Sequence, residues 1–307
     1  MFGFEYLYQF DDRTLAVTLH RPCAWFLDLC AFSTFSPVPL AVIAAQGDRW
    51  TRPEHIVGNG PFVLSAWEPR DRIVLMRSPT YWDREVVKLE TVTALPISDS
   101  EAAYKRFLAG DLQWMATLPL AKIDEVRLNP DYYVAPYFGT YFYRLNVRMP
   151  PFDCVHLRRA VAYALDRVQI TTQVTRGGQL PVGSLCPPVA GYEPIAGPSY
   201  DVARARAEFA RSRYAANCPA IEILYNTSDQ HKQIAEVVAH QLKDALGVQV
   251  IGRNAEWKTY LAAQNRGEYQ MCRASWIGDY ADPDTFFAMF RTGDGNNDRA
   301  FSSPEFD

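Results

Sequence analysis

The sequence predicts an α/β protein, and three observations carry that assignment. A strand, a helix and a second strand follow one another between residues 220 and 251, amphipathic helices are expected over 152–167 and 201–214, and β-rich runs bounded by turn residues stand in the first half. No internal repeat or low-complexity segment interrupts this alternation.

Taken in chain order, residues 14–19 form a β-rich run after the turn pair Asp11-Asp12, and residues 73–76 form another before Ser78-Pro79. Residues 100–109 read as a helix: Ser98 or Ser100 can cap it, Glu101 sits in its first turn, and Gly110 stands where it stops. A strand is expected next, over 112–116. Residues 152–167, FDCVHLRRAVAYALDR, read as a helix capped by Asp153, with Val155, Ala160, Val161, Ala164, Leu165 and Val168 on its buried side. Prolines and glycines from Gly177 to Pro198 mark a long irregular connection, and 201–214 reads as a surface helix. The run AIEILYNT, 220–227, is a short apolar strand followed by a helix that Ser228 or Asp229 caps and Gly247 ends. Ile234, Val237, Val238, Leu242 and Ala245 share one face of that helix, and residues 248–251 return as a strand. Such a unit requires a right-handed parallel crossover, which turns residues 226–231 toward any ligand crevice.

Composition excludes several classes. The 307 residues, 48% hydrophobic, suffice for one large or two smaller domains with a sizeable core. With 31 basic against 35 acidic residues the net charge is -4, and no Lys/Arg run exists, so nucleic acid is not an expected partner. No apolar run reaches the roughly 18 residues of a membrane helix, and the first residues lack the basic-then-apolar pattern of a secretory signal. The six cysteines contain no Cys-x-x-Cys pair and read as small buried hydrophobes, although Cys23 and Cys30 can pair in an oxidising compartment. The five histidines show no metal-binding spacing, no G-x-S-x-G elbow occurs, and Gly58-Asn59-Gly60 precedes a strand-like Phe62-Val63-Leu64 rather than a phosphate-holding helix. No metal, cofactor or catalytic chemistry is expected.

The segment RASWIGDYADP, 273–283, sets Arg273 and Asp279 around Trp276 in aromatic and apolar surroundings. Burying such charges without partners costs several kcal/mol, so the two either pair with each other or meet the ends of a bound zwitterion such as a peptide. His231, at a helix start, reads as a surface residue or as a neutral hydrogen-bond donor. Trp257 and Trp276 read as core or pocket wall, and Tyr137 and Phe142 as core or cleft lining.

Four segments in order, VGNGPFVLSAWEPRDRIVLMRSPTYWD (57–83), NVRMPPFDCVHLRRAVAYALDR (146–167), LYNTSDQHKQIAEVVAHQLKDALGV (224–248) and EWKTYL with RASWIGDYADPDTF (256–261, 273–286), carry a family resemblance. The chain resembles the extracytoplasmic solute-binding proteins of family 5, the peptide-binding components of ABC importers, from about Arg13 to Asp307, and most of all the oligopeptide and murein-peptide members. The resemblance implies the two-lobed periplasmic-binding-protein fold of class II type, closing over its ligand by a hinge. By the same resemblance Asp279 holds a peptide's α-amino group, while Arg273 and His231 meet its carboxylate at different peptide lengths. Trp257 and Trp276 then wall side-chain pockets, Tyr137 and Phe142 line them, and Arg176 stands next to Thr175, which occupies a basic position of the family. Gln264, with Arg266 nearby, stands where close relatives have an arginine, and Ile277 replaces a cysteine and removes a disulfide.

Against the family pattern the chain is expected to be incomplete at both ends, with Met1 inside the small extra domain and FSSPEFD ahead of a further helix and returning strands. Residues 1–38 then belong to the extra domain, 39–138 to part of the first lobe and 139–307 to the second lobe. The expected function is peptide binding for an ABC permease, as a monomer when complete, with the periplasm as compartment, or the cytoplasm if Met1 is a true start. The alternatives are a fragment that no longer binds peptide and acts as an interaction module, and, more distantly, an unrelated hydrolase.

Overall fold

The computed structural model describes residues 4–135, 137–189, 191–297 and 301–307. It divides into two compact units, one built from Met1–Leu29 with Leu120–Asp307 and the other from Cys30–Pro119. Among the described residues no helix is long and apolar enough to cross a membrane, and no disulfide links the cysteines: Cys23 and Cys30 are free thiols.

The first unit opens with a hairpin of β1 (Phe4–Asp11) and β2 (Thr14–Leu19). The Asp11 carboxylate closes its turn, accepting from the Arg13 amide at 2.7 Å and the Thr14 hydroxyl at 3.1 Å. β2 was expected and β1 was not. α1 (Phe26–Ala31) follows.

In the second unit, α2 (Leu40–Gln46) precedes an antiparallel sheet in the order β3 (Phe62–Glu68), β4 (Arg72–Arg77), β5 (Thr91–Ala94). Gly58-Asn59-Gly60 lie in the irregular segment leading into β3, away from any helix start. α3 (Ser100–Leu108) is capped by neither expected serine. Asp99 does it, its carboxylate accepting from the Ala102 amide at 2.7 Å, because a helix starting at Ser100 puts residue 99 at the capping position. The strand expected over 112–116 does not form: no neighbouring strand pairs with it, and Trp114 is left 77% exposed.

Returning to the first unit, α4 (Ile123–Val126) leads to a four-stranded sheet in the order β6 (Gly139–Leu145), β9 (Met271–Ile277), β7 (Ile221–Asn226), β8 (Val250–Ala255). β7 runs parallel to both β8 and β9, while β6 is antiparallel to β9, with Tyr143 opposite Arg273 and Tyr141 opposite Ser275. The expected strand–helix–strand unit is therefore present, with β8 two residues later than anticipated because pairing starts at Ile221 opposite Val250. Its helix, α8 (Asp229–Leu246), is capped by Ser228 and stops at Gly247, whose φ of +72° is left-handed backbone that a side chain strains.

Both sheet faces are covered. Ile221, Ile223, Tyr225 and Met271 pack with Ile234, Val238, Leu242 and Ala245 of α8 and with α5 (Val155–Ala164), whereas Leu224 and Cys272 pack with Tyr260 and Ala263 of α9 (Trp257–Asn265). This double burial is why β7 reads as a continuous apolar run. α5 is shorter than expected, and Asp153 does not cap it: its carboxylate accepts from the Tyr214 hydroxyl at 2.7 Å and pairs with Arg213. Val155 and Val168 are exposed, not buried: Val155 is the first residue of the helix, and Val168 lies past its end, where Asp166 caps a new turn, α6 (Arg167–Gln169). The helix expected over 201–214 is α7 (Val202–Ala210), capped by Asp201 and with Ala205 buried. A short α10 (Asp284–Phe287) lies beyond β9.

Candidate functional site

The carboxyl ends of β7, β8 and β9, where α8 and α9 begin, gather most of the residues the sequence singled out. This is the edge at which ligands bind in parallel α/β sheets. At its centre Arg273 projects from β9, its Nη1 donating to Asn226 Oδ1 at the end of β7 at 3.3 Å. Its guanidinium carbon lies 5.1 Å from the centre of the Tyr141 ring. Its Nε–H is buried with no hydrogen-bond partner, and Tyr143 stands directly across the strand pair. The backbone beneath is pinned from the other face, where the Tyr260 hydroxyl of α9 donates to the Arg273 carbonyl.

His231 stands in the first turn of α8, 9% exposed. Its Nδ1 is 3.5 Å from the Tyr141 hydroxyl, and the two rings are 5.6 Å apart. Burial, reinforced by the charge of Arg273, holds its basicity down at about 4, so the imidazole is neutral near pH 7. Because the unfolded chain takes up this proton near pH 6.5 and the folded chain does not until about 4, stability is retained above pH 6.5 and lost as pH falls toward 4. We expect that window to cost about 2 kcal/mol, allowing for solvent screening. Urea denaturation from pH 7 to 4 checks it: His231→Gln should flatten this part of the profile, and an unchanged slope would count against it.

Asp279 lies in the loop beyond β9. One hydroxyl organises this loop: Thr285 Oγ1 accepts from the Asp279 amide at 3.1 Å and from Trp276 Nε1 at 3.2 Å. The chain reaches this turn through Gly278, where a Cβ would come within 2.3 Å of the Phe138 ring. Burial raises the Asp279 carboxyl above the usual carboxylate range. Among the described residues Arg273 and Asp279 form no ion pair with each other, which removes the internal-pair alternative. Trp25 stacks on the neighbouring Tyr280 with ring centres 5.2 Å apart.

The other singled-out residues divide. Trp257, half exposed at the start of α9, stacks on Tyr260 at 5.6 Å and so connects to the Arg273 carbonyl. Tyr137 is exposed just ahead of β6, at the same sheet edge. Phe142 is elsewhere: with Phe287, Phe290, Phe301 and Phe306 it lines an apolar cavity of about 430 Å³ along the outer side of β6. The Arg176 guanidinium is engaged by the Asp124 carboxylate and the Leu120 carbonyl. Sequence reading missed Tyr141, Tyr143 and Thr285, whereas Asn226 lies in the 226–231 segment expected to face a crevice. The alternation of Tyr141 and Tyr143 along a β-rich run is a readable signal, but their meeting with Arg273 depends on the β6–β9 register. No group of three His, Cys, Asp or Glu among the described residues is placed to hold a metal. What the edge offers is an unpaired carboxylate, a guanidinium with a spare donor and a neutral imidazole, set among aromatic rings.

Comparison with known proteins identifies the family and the fold. The profile of the bacterial extracellular solute-binding proteins, family 5 Middle, matches residues 9–298. The periplasmic oligopeptide-binding protein OppA of Salmonella typhimurium is 35% identical over 308 residues, covering 97% of this chain and 57% of that protein. The solved structure of the Escherichia coli murein tripeptide binding protein MppA superposes with a TM-score of 0.91 at 33% identity, over 97% of this chain and 60% of the other. Haemophilus influenzae OppA in complex with the peptide RPPGFSPFR gives 0.86 at 30% identity, over 97% and 61%. The chain thus spans a little over half the length of the curated relatives it matches.

Proposed function

Because the chain belongs to the bacterial extracellular solute-binding proteins of family 5, we propose that it carries the peptide-gripping edge of an ABC importer's oligopeptide-binding component. The observation that supports this most is the unpaired state of Arg273 and Asp279 at one sheet edge, each short of a charged partner that a peptide's two ends supply. The amino end meets the Asp279 carboxylate by a charge-assisted hydrogen bond, and the carboxylate end meets Arg273 and the neutral His231. Arg273 and Ile277 lie four positions apart along β9, roughly 13 Å of extended strand, which suits a peptide of a few residues rather than a single amino acid. Between its ends the peptide pairs by main-chain hydrogen bonds, as an added strand does, and its side chains enter wet pockets walled by Trp257 and Trp276. Specificity then rests on length and free termini more than on sequence. The role is binding and delivery to permease subunits from the periplasm, without chemistry on the peptide.

Calorimetry of the chain with di- to pentapeptides tests this reading. Heat of binding for free-ended tri- to pentapeptides is expected, and none from a demonstrably folded sample would overturn it. A second reading, association with another protein chain in place of a peptide, is favoured by the exposed Leu7, Tyr8, Phe10 and Leu15 on the β1–β2 hairpin. Silent calorimetry together with self-association in sedimentation would favour it.

A further inference from the structure

We propose that Tyr141 is a positioning residue for the carboxylate end of the site, its ring aiming the Arg273 guanidinium and its hydroxyl selecting the ring nitrogen with which His231 meets a ligand. The inference rests on the peptide-binding reading for its ligand but on Tyr141's own contacts for its role.

Three observations carry it. Tyr141 touches both anion-facing groups at once, with the Arg273 guanidinium carbon 5.1 Å from its ring centre and His231 Nδ1 3.5 Å from its hydroxyl. The Tyr141 ring face and hydroxyl hold the cation from one side and Asn226 from another, which orients the guanidinium while leaving a donor for a carboxylate. The partnerless Nε–H of Arg273 is such a donor. Finally, a neutral imidazole carries one proton. A tyrosine hydroxyl that donates to Nδ1 leaves that proton on Nε2, where it can be donated in turn. Burial beside Arg273 keeps His231 neutral, so the choice of tautomer, rather than a change of charge, is what Tyr141 controls. Tyr141 is 37% exposed, which makes substitutions there tolerable to the fold.

Two variants separate the two tasks. In two-bond proton–nitrogen spectra of histidine-labelled protein near pH 7, with His231 assigned by its loss in His231→Gln, the wild-type ring should show the single Nε2–H tautomer. Tyr141→Phe should give mixed tautomers while keeping urea stability, a change that a merely structural ring would not produce. A wild-type Nδ1–H ring, or a tautomer unmoved in Tyr141→Phe, would overturn the proposal, and this readout needs no peptide. For the ring, Ala-Ala-Ala is compared with its C-terminal amide. Tyr141→Leu should reduce the wild-type preference for the free acid by roughly tenfold. A wild-type preference that persists undiminished in Tyr141→Leu would overturn the ring's part. Absence of any wild-type peptide binding is a failure of the peptide reading, and the tautomer result still decides the role of Tyr141.

Discussion

Asp279→Ala should weaken a free-amine tripeptide by about 3 kcal/mol, roughly 100-fold in affinity, while changing the affinity for the same peptide with an acetylated amino end very little. The half-buried carboxylate has no cation of its own, so an α-ammonium supplies both charge and donors, and removing the carboxylate leaves that ammonium unpaired in a partly dry site. The acetylated peptide never makes the contact and acts as the internal control. Stability should not suffer, since burial works against the charged form of Asp279 in the folded chain. Titration calorimetry of both peptides against both proteins reads the difference. Equal losses for the two peptides would mean that Asp279 shapes the loop without gripping the amine.

The second large effect is on the fold. Leu242 is fully buried where α8 packs on the sheet, and Leu242→Ala should cost about 3–4 kcal/mol through lost transfer free energy and the cavity left behind. Leu128, 95% exposed, is the matched control, and Leu128→Ala should change stability by no more than about 0.5 kcal/mol. The urea midpoint should fall in Leu242→Ala with an unchanged slope. Similar midpoints for the two variants would show that α8 is not held as its burial indicates.

α8 and β7 were legible because the information is local: a serine cap, apolar residues at helical spacing and a terminal glycine all lie within one stretch of chain. Caps fail where several capping residues compete, as Ser98, Asp99 and Ser100 do, or where a distant partner claims the side chain, as Tyr214 and Arg213 claim Asp153. β6, β9 and α9 were not assigned. The Thr, Tyr and Phe of β6 are a strand signal, but an edge strand's partner is not written in its own residues. The candidate site divides on the same line. Arg273, Trp276 and Asp279 are visible as one motif, whereas Tyr141 and His231 join them only through strand register and the placement of α8, from positions 132 and 42 residues before Arg273. Arg176 shows the converse, since a residue chosen by its neighbourhood in sequence is held by Asp124, 52 positions earlier.

The hydroxyl of Thr285 has a consequence for anyone redesigning ligand preference. Thr285 is 3% exposed and its hydroxyl accepts from both the Trp276 indole and the Asp279 amide, so the Trp276 ring and the turn carrying Asp279 hang from one oxygen atom. Replacing Trp276 frees half of that oxygen's bonding and loosens the turn that carries Asp279. Under the proposed peptide-binding role, selectivity for a side chain and affinity for a free amino end would therefore not vary independently, and a library that varies Trp276 alone would sample both.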